Sequence, residues 1–361
     1  MLLNYLPPSI ASIVQSYTDI EDFPLEYIHT YDKIPTKNCP YLRTLKIPYH
    51  QGSLEFLKNL NLERLDLHMY LNGDMSPIQT QKNLKFLDMS CYVGKFYLED
   101  LQIEELHINY FSGTDLSVLK DIPLKILSLE NYNGFLDGIE HITSLKEVRL
   151  NHLDDFSLAP LGDLKLKKLY LNKYNLDLDS LSHMTTLEEL DISSYQGNLS
   201  PLKNMSNLVC LALFRYNDDI SPLESLVNLK ELHLLSYKGD SISSLIGMKQ
   251  LEILNIMDYN SNISVLREMK NLKKLFLNSF TGNISPLYHL SKLEYLNLSS
   301  YKGDISLLKY CVSLRFLSLL EYDGEDIFAL KDLPLQTLIL GSYTGSISCL
   351  LEKDVKIIFM S

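Results

Sequence analysis

Four side chains in the first half of the chain, Asp66, His68, Asp88 and His107, are of types that hold metal ions or move protons. Carboxylate oxygen and imidazole nitrogen together suit a divalent cation, and the same pairing can serve acid-base chemistry. Either use requires residues about 20 positions apart to lie side by side on neighbouring strands, where ladder spacing would bring them within a few ångströms. No cysteine pair or metal motif accompanies them, and no G-x-S-x-G, P-loop or H-E-x-x-H stands in a supporting context. The expectation is solvated polar side chains, with no catalytic residue, no metal and no cofactor.

A second set is apolar: Phe214, Leu235, Ile253, Met257, Phe276, Tyr295, Phe316, Leu320 and Ile339. These alternate with leucines, so in strands they point away from the core. The equivalent first-half positions are mostly polar, among them Arg64, Asp66, Glu105, His107, Arg149 and Lys168. Large apolar groups facing outward mark a contact surface for a protein or peptide partner. The alternative is that curvature or a returning terminus covers some of them.

Both sets depend on a repeat. L-x-x-L-x-L recurs from Leu42-Leu45-Ile47 through Leu62-Leu65-Leu67 to Leu335-Leu338-Leu340, with a shortened copy at Val355-Ile358-Met360. The step is close to 21 residues and gives about sixteen copies, which makes residues 42–361 one solenoid and leaves 1–41 outside it. Each copy is predicted to hold a short strand, then Ser-Pro or its equivalent opening one or two turns of 3₁₀ helix, as at Ser200-Pro201 and Ser221-Pro222. Serine is expected to cap that turn through its hydroxyl, with proline supplying φ. Recurrence of Ser-Pro at one place in the repeat favours this over proline-directed phosphorylation.

In most copies an aromatic follows three residues after the last leucine: Tyr70, Tyr92, Phe111, Tyr132, Tyr174, Tyr195, Tyr216, Tyr237, Tyr259, Phe280, Tyr301, Tyr322 and Tyr343. Glycine stands two residues on at nine of these, including Gly94, Gly113, Gly197 and Gly303. The expectation is a buried column of rings with glycine making room beside them. A solvent-facing stacking stripe is the alternative.

The pattern L-x-x-L-x-L-x-x-Tyr-x-Gly-(Asp/Asn)-Ile-Ser-Pro-Leu resembles the leucine-rich repeat family, in particular its internalin-like class. The resemblance covers nearly nine-tenths of the chain. It implies an α/β class fold, a curved solenoid with a parallel sheet on the concave face and short 3₁₀ or irregular segments on the convex face, and a non-catalytic role in binding proteins. The departure is tyrosine where the family carries asparagine.

The chain of 361 residues carries a net charge of −12, which argues against broad phosphate binding. One basic group, Lys146, Arg149, Lys165, Lys167, Lys168 and Lys173, falls in two adjacent repeats, and nucleic acid is not expected. Cys39, Cys91, Cys210, Cys311 and Cys349 are scattered and odd in number, so no disulfide framework is expected. With no signal peptide and no spanning segment, the setting read is intracellular and cytoplasmic, with no membrane.

Ile10, Ile13, Val14 and Tyr17 form an amphipathic stripe after Pro7-Pro8, read as a helical cap within residues 1–41. Leu6 to Tyr17 also resembles the first helix of an F-box, which implies the alternative of a substrate receptor for a ubiquitin ligase. Leu25 and Ile28 fit a degenerate first repeat. The abbreviated F-box-like start with Asn-, Tyr- and Lys-rich repeats is similar to proteins of large DNA viruses of amoebae, which implies a host cell or virion. Val355 to Ser361 ends the chain on an apolar strand whose open edge invites a homodimer.

Overall fold

The computed structural model describes the backbone of residues 27–29 and residues 41–111, 116–132, 134–151, 157–324, 326–341 and 343–359. The amphipathic stripe after Pro7-Pro8, the F-box-like segment, Cys39, Gly113 and Met360 lie outside them. The chain divides into two compact units, residues 1–145 and 146–361.

In the first unit, strands β1 (Tyr27–His29), β2 (Thr44–Lys46), β3 (Arg64–Asp66), β4 (Phe86–Asp88), β5 (Glu105–His107) and β6 (Ile126–Glu130) pair in chain order, all parallel. The second unit continues the design. It holds β7 (Glu147–Asn151), β8 (Lys168–Asn172), β9 (Glu189–Asp191), β10 (Cys210–Ala212), β11 (Glu231–His233), β12 (Ile253–Asn255), β13 (Lys274–Phe276), β14 (Tyr295–Asn297), β15 (Phe316–Ser318), β16 (Thr337–Ile339) and β17 (Lys356–Ile358). Each pairs with the next in parallel, leucine beside leucine except where β7 offers Val148 and β17 offers Ile357.

The leucines form the core because the strand alternates and each copy repeats the alternation. Leu45, Leu65, Leu87, Leu190, Leu211 and Leu296 are wholly buried. Each full burial contributes about 2 kcal/mol, so truncation at any one is felt locally. Opposite the strands lie short 3₁₀ turns such as Ser200–Asn204 and Ser306–Tyr310, with Ile305, Leu308 and Cys311 buried against the leucines. Few residues remain between strands, and i to i+3 bonds such as Leu202 N–H to Leu199 C=O at 3.0 Å close the turn in the space available.

The serines of the Ser-Pro segments are not the caps. The segment at Ser76–Thr80 has no side-chain bond from its N-cap, Met75, and Ser76 already lies inside the turn. The acceptor is the acidic or amide residue two positions earlier: Asp74 Oδ1 receives Ser76 N–H at 2.8 Å, Asn198 Oδ1 receives Ser200 N–H at 2.9 Å, and Asp304 Oδ1 receives Ser306 N–H at 2.7 Å. Serine becomes a second donor, its Oγ–H reaching Asp304 Oδ2 at 2.7 Å. An orphan amide at the turn's start needs an acceptor outside the turn, which serine at the first helical position cannot offer.

The aromatic positions, with Phe111 only half-buried, turn inward because of the residue before them. Met69, Cys91, Ser194, Arg215, Ser236 and Glu321 adopt φ between 59° and 68° or close to it (Ser236, 56°), turning the next side chain inward instead of letting it alternate outward. The strain is offset by a bond to the next copy, as Arg215 N–H donates to Leu235 C=O at 2.8 Å. Tyr92, Tyr195, Tyr216 and Tyr259 are at most 2% exposed. Neighbouring rings lie nearly parallel, with centroids 6.2 Å apart for Tyr70 and Tyr92 and 6.5 Å for Tyr216 and Tyr237. His50 takes the same place in the first copy and stacks on Tyr70 at 5.9 Å. Several hydroxyls bond loop carbonyls: Tyr92 Oη donates to Gly73 C=O and Tyr216 Oη to Gly197 C=O, both at 3.0 Å, whereas those of Tyr259 and Tyr343 are buried without such a bond.

One buried polar side chain repairs an irregular repeat. From Leu42 to Leu62 the step is 20 residues (62 − 42), one short of the usual 21. The backbone bond that Leu84 N–H makes to Gln81 C=O at 3.0 Å has no counterpart at Leu62. Instead Leu62 N–H donates to Gln81 Oε1 at 3.0 Å, and Gln81 Nε2 donates to Leu57 C=O at 2.5 Å. Gln81 is fully buried and its amide is bonded at both ends where other copies carry apolar residues such as Met205, Leu226 and Cys311.

Candidate functional site

In the first unit, register sets Asp66 beside Asp88 and Asp88 beside His107. The side chains do not converge as a group of four. Asp66 Oδ1 accepts the His68 backbone N–H at 3.1 Å, and the His68 ring stands edge-on to Tyr49 at 6.0 Å. Asp88 Oδ1 likewise accepts Ser90 N–H at 2.9 Å. Asp or Asn at this strand position shapes the turn into the positive-φ residue, and Asn255 and Asn297 do so in the second unit. What remains is a small ion-pair group: His107 Nε2 lies 3.0 Å from Glu105 Oε1 and Nδ1 3.7 Å from Asp88 Oδ2. Burial works against the His107 cation, but the Asp88 and Glu105 carboxylates outweigh it and its pKa is raised. Burial also opposes ionised Asp88, yet bonds from His107 and Ser90 hold its pKa below the usual carboxylate value.

Three members of the basic group are paired with carboxylates on the same surface. Lys167 pairs with Glu188, Lys168 with Glu189 at 2.8 Å, and Arg149 with Glu147 at 2.5 Å. Tyr170 Oη donates to Glu189 Oε1 at 2.7 Å, and its pKa is raised by burial and by that carboxylate.

All nine apolar residues singled out above lie on the second unit's sheet face and are half-buried. Phe214, Leu235 and Met257 occupy successive copies of one column just after the strands, and Ile253 stands beside Glu231. Phe276, Tyr295 and Phe316 form a continuous aromatic run: Phe276 tilts against Tyr295 at 4.9 Å, and Phe316 stacks on Tyr295 at 4.3 Å with planes 4° apart. Ile339 lies two residues on from Thr337, the register partner of Phe316, and Leu320 follows β15. The rings cover one another, which lowers their exposure without covering the face they present.

A second apolar population was not anticipated. Ile246, Tyr288, Tyr310, Val312 and Phe328 are between 44% and 61% exposed, on or beside the 3₁₀ turns. Tyr288 and Tyr310 meet edge-on at 6.0 Å. Their signal was present in the sequence as apolar residues out of phase with Ile305, Leu308 and Cys311.

No protein-family model and no curated protein sequence matches the chain. Solved structures do. An internalin of Listeria monocytogenes is similar at 25% identity and a TM-score of 0.56, over 87% of this chain and 85% of that one. A leucine-rich repeat protein of Leptospira interrogans is similar at 18% identity and 0.56, over 97% and 98%. The mouse RP105/MD-1 complex contains a chain similar at 20% identity and 0.65, over 83% of this chain and 60% of that one. With the parallel strands and 3₁₀ turns, these define the fold as a leucine-rich repeat solenoid of the internalin-like kind. Among the described residues no helix is long and apolar enough to cross a membrane.

Proposed function

We propose that the protein is a non-catalytic scaffold that binds a protein or peptide on the sheet face of its second unit, through Phe214, Leu235, Ile253, Met257, Phe276, Tyr295, Phe316, Leu320 and Ile339. The observation that carries the reading is the unbroken aromatic contact from Phe276 through Tyr295 to Phe316 on a face the solenoid does not need to be apolar. The mouse neighbour was solved as a complex of RP105 with MD-1, which is in keeping with an interaction role for the fold. Phe214, Phe276 and Phe316 changed together to Ser are expected to abolish partner capture with thermal stability nearly unchanged. Retained capture, or loss of capture explained by unfolding, contradicts the proposal.

The buried rings take over the task of the family's asparagine, with tyrosine hydroxyls serving the loop carbonyls and ring stacking joining the copies. Ile357 and Ile358 of β17 are half-buried and Phe359 is 56% exposed, which supports pairing of two copies along that strand. A monomer mass by light scattering at tens of micromolar protein would sink that second reading.

A further inference from the structure

The register of β10 against β11 places four side chains at the corners of a square on the sheet face: Cys210 beside Glu231, and Ala212 beside His233. Three corners are metal-ligand types and the fourth is a methyl. We propose that Cys210, Glu231 and His233 bind a zinc-like divalent transition-metal cation through thiolate, carboxylate and imidazole.

Geometry is the first support. One donor atom from each of the three lies within 4.8 Å of the others, and among the described residues no other three ligand-type side chains converge in this way. Around a tetrahedral zinc, ligands at about 2.0–2.3 Å stand roughly 3.3–3.7 Å from one another. His233 Nε2 and Glu231 Oε1 are now hydrogen-bonded at 2.8 Å, so they need to part by only a fraction of an ångström for a cation to replace the proton between them.

The fourth corner is the second support. Along the same register column stand Arg149, Tyr170, Asp191, Ala212, His233, Asn255, Phe276, Asn297, Ser318 and Ile339, of which Ala212 is the smallest. A longer side chain there would stand between the imidazole and the thiol on the diagonal. Ala212 leaves that diagonal clear.

Charge is the third. Glu189, on the other side of Cys210, is neutralised by Lys168 at 2.8 Å. Glu231 has His233 as its ion partner among the described residues, and its far neighbour across the register is Ile253. The Phe214 ring stands edge-on to His233 at 6.3 Å. The donors thus face a half-buried place with apolar edges and no lysine or arginine in the set, which suits a soft cation over a hydrated Mg²⁺ or Ca²⁺. Three protein ligands leave one position for water or for a donor from outside the chain. Binding releases the Cys210 thiol proton to solvent, leaves the neutral His233 ring with its proton on Nδ1 in place of Nε2, and forms one bond each to sulfur, nitrogen and oxygen.

Cobalt(II) is the probe, added to the full-length reduced protein. The expected result is one tightly bound equivalent with a thiolate-to-cobalt charge-transfer band, displaced by zinc. Cys210→Ser should remove the band and His233→Gln should weaken binding at least tenfold, whereas Cys91→Ser and Cys349→Ser should change neither. Unfolding curves of each variant separate lost ligation from lost structure. Absence of the band in the folded wild type, or its persistence in a folded Cys210→Ser protein, overturns the proposal.

Discussion

A Cβ built on Gly94 would lie 2.1 Å from Tyr92 Oη, closer than any non-bonded contact allows, and the same relation holds between Gly197 and Tyr195 at 2.2 Å. Glycine at this place is therefore a spatial requirement of the buried ring. Gly94→Ala is expected to cost about 1–3 kcal/mol in denaturant unfolding, the range of an overpacked core. Adding Tyr92→Leu should recover part of the loss. Independent, additive losses in the double-mutant cycle would mean that ring and glycine are not coupled.

Gln81 is the repair for a repeat one residue short. Gln81→Ala removes the acceptor for Leu62 N–H and the donor to Leu57 C=O while opening a cavity, and about 2–4 kcal/mol of lost stability is expected. Met205→Gln, at the equivalent place of a repeat whose preceding copy already satisfies Leu187 N–H with Met184 C=O at 3.1 Å, should destabilise instead of help. Denaturation midpoints of the two variants check both statements.

The leucine core, the parallel register and the 3₁₀ turns were legible in the sequence because they follow from alternation and a fixed step. What was not legible depends on atoms the repeat does not encode. The turn caps were assigned to serine, yet whether Ser76 or Asp74 is the acceptor depends on where the first helical residue falls. His50 belongs with the rings, but its backbone is set by Tyr49 at φ 61°, a conformation adopted elsewhere by residues as unlike as Met69 and Glu321. The metal-type residues were sought at Asp66, His68, Asp88 and His107, where both aspartates accept nearby backbone N–H groups and only Asp88 and His107 approach each other; the convergent set, Cys210, Glu231 and His233, depends on Ala212 being small. The nine face residues were placed on one surface by alternation alone, and the mutual covering of Phe276, Tyr295 and Phe316 required side-chain positions.

The cap reading has its own test. Asp304→Ala should lower the unfolding midpoint because Ser306 N–H and Oγ–H both lose an acceptor, whereas Asp304→Asn should nearly preserve it, as Asn283 serves Ser285 N–H at 2.7 Å in the preceding copy. Equal loss in both variants would mean that the charge, not the acceptor, matters.

His107 gives a pH signature. Its folded pKa is raised above the unfolded histidine value of about 6.5, so the folded state holds the proton more tightly. The stabilisation is complete below the unfolded value and is lost as pH rises through the raised folded value. Wild type minus His107→Gln, followed by denaturation across that window, should show a stability difference that shrinks with rising pH. A difference that grows with pH would contradict the assignment.

The central claim, that the second unit's sheet face is the contact surface, is tested most directly by site-specific photo-crosslinking in the presence of captured partner. p-Benzoylphenylalanine introduced at Leu235, half-buried on the sheet face, or at Ile246, 53% exposed on the 3₁₀ side, distinguishes the two surfaces. The account predicts a crosslinked partner from position 235 and none from 246. Crosslinking from 246 alone would place the contact on the opposite side and contradict it.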